Sequence, residues 1–434
     1  MGATVRKATA KRKGGGSTSI ASNWQRIFRQ AIRSMTSDIH IEPQADVLYV
    51  RYRQGGILSP PEAWDCRLTN PLAIYLKQLA GLDETQISAP QAGIFLQAYN
   101  HKSYSCGITT LPLATGERLV IHIQDPMTQP PTLEELGLWG KGLAYTRQAL
   151  ATKGLIILTG PKQSGLSTTL ASCTAAVAHV ATSVASVEAA SRFHIPEVRY
   201  MNVNPAIGMT WPRVMNLQLK SRPDVVILGG VPDRETAALA LDAARHNQLI
   251  VCGIPADSAA MGFQQLVLIS GDKLTLAARL QLIVNQRLLP RLCENCRQIC
   301  VPTMAQQQDF VHRWHLDQAQ ACTRLRHALA AAAQSGLLPL SDYQDNLVSN
   351  RGIAKVWQPK PNGCRRCGYS GFYGVVGLFE VIPAEDSLRS QLANSGARQL
   401  TNILGSARLS SLAEDGFVKA VSGLCSLEAA ALLQ

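Results

Sequence analysis

Two groups of residues in this 434-residue chain have types and spacing that could do chemistry. The first is Gly160-Pro161-Lys162-Gln163-Ser164-Gly165-Leu166-Ser167-Thr168, which has the glycine spacing of a phosphate loop. Backbone N–H groups in such a loop cradle phosphates, and the helix that follows adds positive potential at its N-terminus. The position that should send a lysine to the β- and γ-phosphates is Leu166, which brings neither charge nor donor. Binding of ATP with Mg²⁺ and phosphoryl transfer should therefore both suffer. An ordinary strand–turn–helix loop is the competing reading of the same residues. Lys162 is the cation within the loop and a candidate substitute, though nothing in the spacing aims it at a phosphate.

The second group is Cys293-x-x-Cys296 and Cys364-x-x-Cys367. Two such pairs can set four thiolates tetrahedrally about a structural Zn²⁺, each pair forming a turn-like knuckle. A redox dithiol is the rival, and the thioredoxin-like surroundings it needs are missing. The remaining seven of the eleven cysteines, including Cys300 and Cys322, read as ordinary thiols. The histidines show no HExxH spacing, and no G-x-S-x-G or paired-carboxylate site stands out.

These residues need elements to hold them. Gly154 to Gly160 is a continuous apolar run into a glycine turn, as a buried parallel strand gives. Residues 224–229 and 248–253 repeat the theme with helical segments between, which predicts a three-layer α/β domain over 132–292. Ahead of it, Trp24, Ile27, Phe28, Ala31 and Ile32 recur at helical spacing, and alternating strands near 39–42, 47–53, 94–99, 104–110 and 118–124 predict an α+β domain over 21–131. Residues 304–334, rich in Ala and Gln, predict helix within a cysteine module over 293–380. A helical region over 381–434 ends the chain. The stretch from Thr168 to Val187 is long and free of charge, but its Ser/Thr content and His179 predict a buried helix and strand rather than a membrane span.

Composition limits the rest. Apolar residues at 46% can build cores, which excludes wholesale disorder. The excess of 42 Lys+Arg over 30 Asp+Glu includes Arg6, Lys7, Lys11, Arg12 and Lys13 in an acid-free leader over 1–20. Such a leader could touch anionic lipid or nucleic acid, although a solvated, flexible tail is the preferred reading and direct nucleic-acid binding is not expected. No apolar signal segment precedes it, so free thiols and a metal site are expected rather than disulfides.

The sequence resembles a known family. Thr36-Ser37-Asp38-Ile39-His40-Ile41-Glu42-Pro43 is similar to the Ala-Ser-Asp-Ile-His-Ile-Glu-Pro signature of the secretion ATPases that drive type II secretion and type IV pilus assembly. Val50 to Gly56, Pro90 to Gly93, Thr109 to Pro112, Gly116-Glu117 and Leu133 to Leu138 follow in that family's order. So do Arg222 to Val226, Asp233 to Ala237, Gln286-Arg287-Leu288, the cysteine pairs, typical of the assembly and secretion branch, and Ser370 to Glu380. The resemblance implies a PAS-like N-terminal domain and a RecA-like P-loop domain with an inserted zinc-binding tetracysteine module. It also implies hexameric rings with ATP held between subunits, and a polytopic platform protein at the cytoplasmic face of the bacterial inner membrane as partner. Members of this branch usually carry a further N-terminal docking domain, which this chain is expected to lack.

The departures from the family pattern fall where its chemistry lies. Beside Leu166, the Walker B glutamate position is Gly230, and Gln248 and Pro255 stand where the family has histidines. Glu188 is retained, but Ala189-Ala190 replaces the Asp-Pro that should follow it. Two arginines that reach a neighbour's phosphate in the family align with Gly107 and His122. Together these changes remove the cation, the water activator, the sensors and the trans arginines, each kind worth orders of magnitude in phosphoryl transfer. The expectation is a catalytically degenerate homologue acting as scaffold, regulatory subunit or member of a mixed ring with an active paralogue. The alternatives are an active motor, with Lys162 as cation and Glu188 or Asp224 serving water and Mg²⁺, and a DNA-uptake or conjugation accessory.

Overall fold

The computed structural model describes residues 19–54, 57–124, 129–189, 193–337, 348–350 and 352–432. Residues 1–18 of the expected leader, Gly55-Gly56 and Ala190 lie outside them, whereas Ser19 and Ile20, also assigned to the leader, cap and begin the first helix. The chain forms two compact units: Met1–Met127 with Pro361–Gly374, and Thr128–Lys360 with Val375–Gln434.

The first unit begins with α1 (Ile20–Arg33), capped by Ser19, whose hydroxyl accepts from the Ser22 N–H. Its apolar stripe of Trp24, Ile27, Phe28 and Ala31 is buried. Then come β1 (Asp38–Pro43), β2 (Val47–Gln54), β3 (Ile57–Leu58), β4 (Glu62–Asp65), α2 (Thr69–Leu79), β5 (Gln91–Tyr99), β6 (Lys102–Leu113) and β7 (Gly116–Gln124). They make one sheet in the order β3-β2-β1-β7-β6-β5, with β4 also on β2. Alternation decides its faces. Ile39, Ile41, Leu48, Val50, Leu119 and Ile121 join the core of the two helices, while Asp38 and Glu42 between them lie on the opposite face. Lys77 is fully buried on α2, where its ammonium meets Glu117 at 2.6 Å and donates to the Gln86 carbonyl at 2.8 Å.

The second unit runs α3 (Gly140–Leu150), β8 (Gly154–Gly160), α4 (Leu166–Val177), β9 (Val184–Glu188), β10 (Val198–Asn202), α5 (Trp211–Leu219), β11 (Val225–Leu228), α6 (Arg234–Arg245), β12 (Leu249–Pro255), α7 (Ala259–Ser270), α8 (Lys273–Arg279) and β13 (Leu280–Leu292). It continues through β14 (Arg297–Cys300), α9 (Met304–Arg313), α10 (Ala319–Gln334), β15 (Val348–Ser349), β16 (Gly352–Ile353), β17 (Val356–Pro359), β18 (Phe372–Pro383), α11 (Asp386–Asn394), α12 (Leu400–Ala407), α13 (Leu412–Val421) and α14 (Leu427–Ala431). The main sheet has the order β10-β9-β11-β12-β8-β13-β18, parallel from β10 through to β13. Every residue of β8 is buried, which is why that strand reads as an unbroken apolar run. The charge-free stretch is α4 and β9, as its polar content predicted. The Ala/Gln-rich segment is two helices, broken where His315 takes a positive φ of 50°. Phe310, Trp314, Leu325 and Leu329 from these helices share a core with Phe417, Val418 and Leu427 of the C-terminal ones.

Candidate nucleotide crevice and cysteine cluster

Parallel strands put their carboxyl ends on one edge of the sheet, and the loop after β8 sits there. Gly165 caps α4 with φ at 88°, a left-handed conformation that favours glycine. Gly160 must also be glycine, because a Cβ there would lie 2.4 Å from Ser164 Oγ and 2.6 Å from the Gln286 carbonyl oxygen. The loop is tied down from β13, where Gln286 Nε2 donates to the Ser164 carbonyl at 2.8 Å. Its phosphate-loop shape is thus braced from β13. Gly160, Pro161, Lys162, Gln163, Ser164, Gly165, Ser167 and Thr168 all fall on this turn and the first turn of α4. Lys162 and Gln163 are exposed, and Ser164 is buried with an unpartnered hydroxyl. Leu166 is partly buried and packs against the apolar cluster containing Leu158, Leu170 and Cys173.

Beside the loop, Pro255 ends β12 opposite Gly160, and the Ala256 N–H donates to the Gly160 carbonyl at 3.0 Å. Glu188 ends β9, the second strand over from β12. Burial pushes its carboxyl above the ordinary range, and a 2.5 Å hydrogen bond from the Ser186 hydroxyl only partly opposes this. Gly229 packs directly on Glu188, with the position of a Cβ 3.1 Å from Glu188 Cγ. Gly230 comes next, and a Cβ there would meet Trp211 at an ordinary 3.7 Å. Neither Gly230 nor Gly107 has a positive φ, and a Cβ on Gly107 would meet nothing within 4 Å. Glycine is therefore not sterically imposed at either position, and a Cβ would be accommodated at both.

Two expected site residues are elsewhere. Asp224 precedes β11, and its carboxylate accepts from the Ser183 N–H at 3.0 Å at the amino edge of the sheet. Gln248 precedes β12 on that same edge and donates to the Pro223 carbonyl at 2.6 Å. Register pairs Val225 with Leu249 and Leu249 with Gly154, six residues before Gly160. At about 3.3 Å per residue that is about 20 Å from the loop. Asp224 therefore does not belong with the phosphate-loop residues, and it serves a strand entry instead. In the first unit, Gly107 and His122 are cross-strand partners on β6 and β7, and His122 Nδ1 lies 2.9 Å from Asp38 Oδ1. Burial works against ionisation of Asp38, but hydrogen bonds from His122 and Ser37 outweigh it and hold the carboxyl below its usual range.

The sulfurs of Cys293, Cys296, Cys364 and Cys367 all lie within 4.8 Å of one another. Cys364 Sγ and Cys367 Sγ are 3.7 Å apart, too far for a disulfide at about 2.05 Å. The separation is the edge of a tetrahedron with zinc–sulfur bonds of about 2.3 Å. Backbone N–H groups of Cys364 and Gly371 donate to Cys367 Sγ at 3.3 and 3.2 Å, as suits a sulfur carrying negative charge. The donor set and spacing fit one thiophilic metal ion. By contrast, Cys106, Cys173, Cys252 and Cys425 are buried among apolar groups that push their thiols up to about 12, which makes them inert packing residues.

The sequence model for type II/IV secretion system proteins matches residues 14–432. The chain belongs to that family. Secretion-family relatives include the type IV pilus assembly ATPase PilB of Thermus thermophilus, 26% identical over 93% of this chain and 42% of that protein. The type II secretion system protein E of Dickeya dadantii is 27% identical over 93% of this chain and 73% of its own length. The chain thus spans less than half of the Thermus relative. Among solved structures, the Legionella pneumophila ATPase DotB superposes with a TM-score of 0.65 at 14% identity, covering 97% of each chain. The pilus retraction motor PilT with bound ADP gives 0.55 at 17%, covering 94% of this chain and 96% of that one. These likenesses establish a secretion-ATPase fold with a RecA-like domain.

Several residues of the secretion-family crevice escaped the sequence reading. Ser186, Gly229 and Trp211 surround Glu188 and Gly230, and Gln286 braces the loop from 122 positions away. Gln286 lay inside a recognised motif, whereas Trp211 carried no spacing signal that could have found it.

Proposed function

We propose that this chain is a pseudo-ATPase of a type IV pilus or type II secretion machine. It serves as a scaffold or regulatory subunit in a ring, formed with its own copies or with an active paralogue, against a polytopic platform protein at the cytoplasmic face of the bacterial inner membrane. The observation that carries this reading is Leu166. At the phosphate lysine's position its apolar side chain is partly buried and packs against the cluster beneath α4, while the loop around it keeps both required glycines. Gly230, Pro255, Gly107 and His122 extend the loss to every kind of group that would move a phosphoryl. Because a Cβ at Gly230 or Gly107 would meet no clash, backbone packing does not require glycine at either position. The cysteine quartet is intact, and the metal it suits is a structural zinc ion. No helix of the described residues is long and apolar enough to cross a membrane, in keeping with a peripheral role.

Calorimetric titration with Mg·ATP of the native chain and of Leu166→Lys tests this. The expected result is no measurable binding by the native chain and recovered affinity in the variant. Micromolar binding by the native chain with ATP turnover would overturn it. The second reading, an active motor, is favoured by one observation: Lys162 is exposed on the loop. That reading requires Lys162→Ala to abolish nucleotide affinity.

A further inference from the structure

We propose that β5 is a self-association edge, on which two copies of this chain pair their β5 strands antiparallel about a two-fold axis at Phe95. This goes beyond the nucleotide reading and stands on the first unit alone. β5 ends the sheet, and its outer edge has no strand partner among the described residues. Natural edges of this length are usually blunted by lysine, proline or a bulge. Gln91 to Tyr99 contains no charged residue and no proline, and its register with β6 runs unbroken from Gln91–Thr110 to Tyr99–Lys102. The edge is therefore long, regular and unguarded.

The outward side chains identify the occupant. Ala92, Ile94, Leu96 and Ala98 form an apolar row, with Ile94 70% and Leu96 69% exposed. Their β6 neighbours are Thr109, Gly107, Ser105 and Ser103, small residues that leave the row standing clear. The strand is nearly palindromic about Phe95. Antiparallel self-pairing centred there sets Ile94 against the partner's Leu96, Ala92 against the partner's Ala98, and Gly93 against the partner's Gln97. All four outward apolar side chains then meet an apolar partner directly across the seam, the arrangement that stabilises neighbouring strands. An isologous two-fold contact needs this kind of self-complementarity, which an unrelated strand would match only by coincidence. One strand edge is a small interface, so the association should be reversible and in the micromolar range.

Sedimentation velocity on the full chain, from about 1 to about 100 μM, reads the association at the weak end expected for small interfaces. A concentration-dependent association is expected, pairing single chains or the rings of the proposed function two by two, and weakened at least tenfold by Ile94→Lys with Leu96→Lys, which sets like charges across the seam. Both positions are exposed, so the variant should melt at the native temperature. Mixing an Ile94→Lys chain with a Leu96→Glu chain should form a heterodimer tighter than either self-pair. A chain whose mass is the same at every concentration, or an association that the lysine pair leaves unchanged, overturns the proposal. Either outcome leaves the Leu166 reading untouched.

Discussion

Two carboxylates of the second unit, one buried and one half-buried, show opposite treatment. Asp415, 3% exposed on α13, accepts from Trp139 Nε1 at 2.6 Å, from the Phe379 N–H at 2.9 Å and from the fully buried Lys419 ammonium at 2.6 Å. Lys419 in turn donates to the Gly377 carbonyl at 2.7 Å. The network joins α13, β18 and the segment leading to α3, with both oxygens of the carboxylate satisfied. Glu188, at the carboxyl edge of β9, is held by the Ser186 hydroxyl and pressed by Gly229. Its burial lifts the carboxyl's pKa. Where polar groups hold the fold together they retain their partners. At the crevice Glu188 keeps a single hydroxyl partner. On the reading proposed above, the difference teaches where such a chain would keep its polar networks and where it would let them go.

The cysteine quartet extends the intact side of that contrast and should give the largest effect. A structural zinc supplies apparent binding energies of about 10–16 kcal/mol in small zinc peptides at neutral pH, all of it coupled to folding. Elemental analysis should find one zinc per chain. Cys367→Ser removes a buried ligand that also receives two N–H donors. It should abolish that stoichiometry and lower the melting temperature by more than disruption of either the Asp415 network or the phosphate loop. Full zinc content in Cys367→Ser would remove the quartet from the intact set.

Next in size is the Asp415 network. Asp415→Ala strands the Lys419 ammonium and the Trp139 N–H away from water, and breaking a buried pair from one side costs about 3–5 kcal/mol. Denaturant unfolding should show that loss. The double variant Asp415→Leu, Lys419→Met should recover part of it, because no lone charge then remains. A double variant as unstable as Asp415→Ala would mean the cost comes from packing and not from the orphaned ammonium.

How far the sequence discloses this contrast depends on the physical range of each signal. β8 was legible because all seven of its residues are buried, so burial itself wrote the pattern. The cysteine quartet was legible across 67 intervening residues because metal-ligand spacing is local within each pair. Asp224 was misplaced because the adjacency of a residue to a strand does not say which end of the sheet it occupies. A carboxylate just before a parallel strand is at the amino edge, and a phosphate loop is at the other. Gln286 supporting Ser164, and Trp211 covering Gly230, are contacts between distant segments, and periodicity holds no information about them. Helix breaks such as the one at His315 were hidden for a related reason, since Ala and Gln suit helix throughout and only the shared core with α13 fixes where the chain turns.

A smaller effect tests whether the loop after β8 is a built structure. Gly160→Ala drives a Cβ into Ser164 Oγ and the Gln286 carbonyl, and overpacking of this kind costs about 1–3 kcal/mol. In Leu166→Lys, the same alanine should also erase the recovered ATP affinity, read by calorimetry. A loop that tolerated Gly160→Ala without loss would be a turn with no phosphate-binding shape to preserve.

The smallest effect belongs to Glu188 and has a definite sign. Its carboxyl is raised in the folded protein, chiefly by burial, so the native state holds the proton more tightly than the unfolded chain. Between the unfolded and folded values the native state carries more bound protons, and stability must fall as pH rises through that window. The penalty is complete above the folded value and absent below the unfolded one, which for glutamate is about 4.3. Glu188→Gln keeps the shape and an acceptor for the Ser186 hydroxyl while removing the charge. It should be more stable than the native chain at neutral pH, by a margin that shrinks on acidification and vanishes below that window, as followed by thermal melts. A variant less stable at neutral pH would mean that Glu188 is held by an unseen cation, and would move it to Asp415's side of the comparison.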